Sequence, residues 1–111
     1  MKVLHARRAY LSNFYFVTDE RGHSWRVHLP ARSRPRQWKI SSFYVGLTAH
    51  AVQATLHKDG SLVPTRVVIC GVDDDRLAPT WRRNAPKVMA AMKRSIEAVL
   101  REKETHNGKN T

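Results

Sequence analysis

Apolar and polar residues alternate through most of the N-terminal two thirds of the chain, and the period changes to that of a helix only near the C-terminus. Leu11–Thr18, LSNFYFVT, is aromatic and branched on both alternating faces, which predicts a strand covered on both sides. The polar DERG of Asp19–Gly22 is turn-like. Beyond it Trp25, Val27 and Leu29 alternate with Arg26 and His28, predicting the second arm of a hairpin with one apolar and one basic face. Pro30 and Pro35 bracket a loop. Trp38 and Ile40 then alternate with Lys39 and Ser41 in a strand that continues to Val45 and bends or ends at Gly46.

Thr48–Lys58 fits two patterns. It reads as a short helix capped by Thr48, or as a strand with His50, Val52, Ala54 and Leu56 on one face, turning at the two-residue pair Asp59-Gly60 into Leu62–Cys70. The Asp-Gly pair favours the hairpin, with Pro64 at an edge or a bulge. Met1–Tyr10 suggests a short strand or an extended arm. From Pro86, near the start of the expected helix, Val88, Met92, Ile96, Val99 and Leu100 recur at helical spacing to about Lys103. The tail offers nothing to bury, so disorder is expected over 105–111 and a single domain over 1–104. The expected fold is α+β: an antiparallel meander of four to five strands with one C-terminal amphipathic helix packed on one face. Arg26, His28 and Lys39 would then project from the open face.

Charge adds a partner to this picture. The chain has 111 residues, one domain by length, and a formal net charge of +11. Residues 1–40 carry nine basic and two acidic side chains, residues 41–75 two and four, and residues 76–111 nine and three. Such an excess predicts attraction to phosphate or to an acidic protein surface. The expectation is that folding gathers these cations on a common side.

The densest stretch, Arg26–Lys39, contains Arg32, Arg34 and Arg36 at alternate positions, stiffened by Pro35. Guanidinium forks grip phosphate oxygens in pairs and stack on bases, so this loop beside Arg26, His28, Trp38 and Lys39 is the first candidate nucleic-acid site. Arg82, Arg83 and Lys87, at the expected helix start, form a second, where free N–H groups attract anions. Trp81, in an expected loop, is a candidate partner contact, since tryptophan is enriched at interfaces.

Signatures of catalysis and metal binding are weak. Asp73, Asp74 and Asp75 lack enough other acids to converge with, and the histidines have neither helical pairing nor cysteine at zinc spacing. Cys70, ending an apolar strand, reads as a small core residue that excludes an internal disulfide. No secretory signal or membrane-spanning run appears, which fits a cytoplasmic protein that engages no membrane.

The sequence therefore predicts a non-enzymatic nucleic-acid-binding protein, for DNA ahead of RNA, with no cofactor and no metal. The competing expectation is an adaptor or inhibitor, of the kind phages and mobile elements carry, that docks on a larger nucleic-acid-processing enzyme. The layout is similar in architecture to sheet-based DNA readers with a helix packed behind, a likeness carried by no shared motif.

Overall fold

A computed structural model of the chain describes residues 4–109, and the side chains of all of these except Asp74 and residues 106–109. The elements are β1 (His5–Arg8), β2 (Phe14–Thr18), β3 (Ser24–His28), β4 (Gln37–Val45), β5 (Thr48–Leu56), β6 (Leu62–Ile69), β7 (Val72–Asp74) and α1 (Pro79–Lys109). All strands lie in one sheet of order β1 to β7, every neighbouring pair antiparallel. The class is the expected α+β, but the sheet has seven strands rather than four to five. At the edges, β1 is the short strand that was one of the two readings of Met1–Tyr10 and pairs with β2, while β7, too brief to show a period, spends part of the acidic triplet on pairing with β6.

Strand alternation sorts the side chains. Tyr15, Val17, Trp25, Val27, Trp38, Ile40, Val52, Ala54, Val67 and Ile69 point into one core, where Trp81, Val88, Met92, Ile96 and Val99 of the helix meet them. The helix touches β1 toward one side of the sheet and β6 toward the other, so the sheet wraps around it. Two polar links fix the seam. The indole Nε1 of Trp25 donates to Ser95 Oγ at 2.8 Å, and that hydroxyl donates back to the Ala91 carbonyl. Buried His50 must donate from Nδ1 to the Thr48 carbonyl at 3.1 Å, which leaves Nε2 to accept from Asn84 Nδ2 at 3.4 Å. No buried side-chain N or O lacks a partner among the described residues.

Turn chemistry explains where the expectations held and where they shifted. Thr48–Leu56 is a strand, and Asp59-Gly60 turns it into β6. The turn is a longer one than a two-residue pair would make: His57 N donates to Ser61 O, Gly60 sits at φ +89°, and the Asp59 carboxylate accepts from both Ser61 N and Oγ. The β2–β3 turn repeats the design with Asp19 and Gly22. Pro64 stands next to the register shift in β6, facing Ala54.

Cys70 is exposed, not a core residue. It and Gly71 are the two linking residues of the β6–β7 hairpin, at φ +53° and +79°, so the chain reverses where an apolar run alone suggests continuation.

The helix also differs. It starts at Pro79, a residue preorganised for the first helical position, and Ala78 accepts its first backbone bond from Arg82 N. Pro86 consequently lies inside the helix instead of near its start. At the other end the helix continues to Lys109; residues 110 and 111 of the tail expected over 105–111 lie outside the described residues. The described side chains from Leu100 to Glu104 are all exposed, and it is this lack of burial that hides the continuation from a hydrophobic pattern.

Candidate nucleic-acid interface

The alternation that buries Trp25 and Val27 turns Arg26 and His28 to the opposite face of the sheet, and the register carries this outward set across the strands. Arg7 pairs with Phe16, which pairs with Arg26; one row over, Phe14 pairs with His28, His28 with Lys39, and Lys39 with Gln53. The helix lies on the other side, so this face stays open. Phe14 and Phe16 are half-buried, edge to face at 5.3 Å. The Arg26 guanidinium lies 5.5 Å from the Phe14 ring centre and 6.0 Å from that of Phe16, while Arg7 sits over Phe16 at 5.4 Å. The His28 ring completes the patch, 5.4 Å from Phe14.

Electrostatics on this face are one-sided. Among the described residues neither Arg26 nor Lys39 has a carboxylate at ion-pair distance. His28 Nε2 meets Ser41 Oγ at 3.0 Å, and its pKa is held below the ordinary histidine value by partial burial first, then by the charges of Lys39 and Arg26. The face ends at β6, where the Arg66 guanidinium bonds both oxygens of Asp73 at 3.0 and 3.1 Å. Arg66 in turn holds the Asp73 carboxyl below the usual carboxylate range. Its charge is thus already matched.

The arginine loop is anchored at both ends and joins this face. Leu29 N donates to the Asn13 carbonyl, Arg34 N to Ala31, Gln37 N to Arg34, and Leu56 N to Arg36. Arg32, Arg34 and Arg36 are all exposed, and Arg34 helps His28, Lys39, Gln37 and Gln53 to line a shallow depression of about 220 Å³. A basic track therefore runs from Arg7 and Arg26, past His28 and Lys39, to the loop.

Other candidates lie elsewhere. Trp38 and Trp81 are core residues, 6% and 4% exposed, so neither offers its ring to a base or a partner. Trp38 has the parity of Ile40, which buries it, and Trp81 belongs to the helix rather than to a loop. Arg82, Arg83 and Lys87 are exposed on the helix, on the other side of the sheet from Arg26 and Lys39. Lys87 lies more than a turn beyond the free N–H groups expected to share an anion with it. It lines a hollow of about 470 Å³ together with Arg21, Trp25, Phe43 and Arg94. The cations thus form two separate basic surfaces, not the single side expected, because the helix buries one sheet face and displays its own charges outward from there.

Phe14, Phe16 and Arg7 escaped the sequence reading. A strand with aromatics on both parities reads as covered on both faces; the signal that separates the faces is arginine on the strands to either side, in register with Phe16. Among the described residues no group of three or more His, Cys, Asp or Glu side chains gathers at metal-binding distance, and no helix is long and apolar enough to cross a membrane. Compared with protein-family models, curated proteins and solved structures, the chain matches none.

Proposed function

We propose that the protein is a non-enzymatic nucleic-acid binder that uses the open sheet face and the arginine loop. The observation that carries this reading is the continuous track Arg7, Arg26, His28, Lys39 and Arg34, which no carboxylate among the described residues neutralises. Unmatched guanidinium and ammonium groups on a rigid surface release counterions from a phosphate backbone when they bind it. DNA, in a cytoplasmic setting, is the partner this reading puts first.

The test is anisotropy of labelled oligonucleotides over a salt series. Contact with about five phosphates of a single strand predicts a slope of log K against log salt near −3.5, roughly a hundredfold loss between 50 and 200 mM. Absence of binding at 50 mM salt to single strands and duplexes alike overturns the reading. An acidic protein surface is the competing partner, and a pull-down distinguishes it, because such a partner survives nuclease treatment of the lysate whereas nucleic acid does not.

His28 gives binding a pH dependence. Because its pKa in the free protein lies below the ordinary 6.5, the ring is mostly neutral at pH 7. The fold favours that neutral form, so this contribution to stability is complete above about pH 6.5 and is lost as pH falls through the lowered value. A bound polyanion favours the imidazolium instead, and affinity is expected to rise as pH drops from 7.5 to 5.5, by up to about tenfold for a shift of one unit. His28→Gln should flatten that part of the profile. An unchanged profile in the variant would remove His28 from the interface.

A further inference from the structure

We infer that the nucleic acid held on this face is unpaired, with its bases stacked on Phe14 and Phe16. The inference rests on the nucleic-acid reading above and narrows it to single strands. Both rings belong to the strand parity that faces away from the helix, and they stay half-buried where the core does not need them. A base inside a duplex already stacks on its neighbours and presents only its edge in a groove, so aromatic faces on an open sheet have no partner there. An unpaired base presents its whole π-face. Aromatic rings and guanidinium groups are the two surfaces on which proteins stack such bases.

The arrangement supplies both surfaces in one patch and a separate hold for the backbone. Arg26 lies over both rings and Arg7 over Phe16, so a stacked base meets either a ring or the cation already resting on it. From Phe14 the row continues through His28 to Lys39, and the depression beyond brings in Arg34. Bases seated on β2 thus leave the phosphates to follow β3, β4 and the loop. At about 4.8 Å per strand, the row from Phe14 to Gln53 is about 14 Å long, room for a few nucleotides. Stacking is indifferent to base identity, which predicts weak sequence preference.

The test compares labelled oligothymidylate, oligouridylate and a duplex of matched length, each against wild type, Phe14→Ala/Phe16→Ala and Phe14→Leu/Phe16→Leu. Wild type is expected to bind the single strands at least about tenfold more tightly than the duplex. Both variants should lose about tenfold or more for single strands per ring that carries a base, and clearly more for single strands than for the duplex, which feels only the loss of support under Arg7 and Arg26. Leucine fills similar space without a π-face, so it guards against a mere loss of packing; thermal melting checks that each variant folds. Phe14→Trp/Phe16→Trp should restore single-strand affinity. Equal affinity of wild type for duplex and single strand, or full single-strand affinity in the leucine variant, overturns the inference but leaves nucleic-acid binding standing. Failure to bind any of the three probes at low salt overturns both.

Discussion

Replacing Arg26 and Lys39 together by glutamate is expected to lower affinity for a nucleic-acid strand by roughly a hundredfold or more at low salt. Each substitution removes a charge-assisted contact of about 1.5–3 kcal/mol and sets a carboxylate against phosphate. Two fewer released counterions should also make the salt slope shallower by about 1.4 for a single strand. Arg26 is exposed and Lys39 half-buried, so the main structural loss is the cation over Phe14 and Phe16, and the fold should survive it.

The informative control is Arg82→Glu/Arg83→Glu, which changes net charge by the same amount on the helix side of the molecule. The helix and the sheet layer stand between these charges and the open face, about one Debye length or more at 0.1 M salt, so with both variants compared at that salt binding should fall by no more than about threefold. Equal losses in the two variants, measured by anisotropy, would mean that total charge rather than the sheet face governs binding.

Trp81→Ala is expected to destabilise the fold by about 3–5 kcal/mol, a large share of what a domain of this size possesses. The indole is 4% exposed and lies 6.5 Å from the buried His50 ring, one turn before the Asn84 that bonds the same histidine. Truncation leaves a void where the first turn of α1 meets β5, and the helix start loses its main apolar anchor. Trp81→Phe keeps most of the volume and should cost clearly less. Urea unfolding followed by circular dichroism measures both. A loss below about 1 kcal/mol for the alanine variant would show that the helix start contributes little to the fold and would free Trp81 for a surface role.

How far the fold and the candidate site were legible depends on whether the signal was local. Turn residues act within a few positions, so Asp19 with Gly22 and Asp59 with Gly60 announced two hairpins, and the alternation of Trp25, Val27, Trp38 and Ile40 with Arg26, His28 and Lys39 announced which cations face outward. Cys70 misled because a left-handed turn residue there is set by the pairing of Ile69 with Val72, which lies across the turn and not in the apolar run. Trp81 reads as a loop residue when the helical period is counted from Pro86, while the start at Pro79 puts the indole in the core. Phe14 and Phe16 were visible as aromatics, but an isolated strand does not say whether its second face is covered.

By itself, the order of residues determined the strand parities, most of the turns, the amphipathic helix and a strong positive charge, since each of these arises from neighbours within about one turn of helix or one hairpin. Only the tertiary structure decided that Arg82, Arg83 and Lys87 of the helix stand on the other side of the sheet from Arg26 and Lys39, and that Arg7, Phe14, Phe16, Arg26, His28 and Lys39 meet on one surface. These residues come from separate strands, and cross-strand register brings them together. That register is set by burial of the opposite face, so the patch takes shape only once the core behind it has packed.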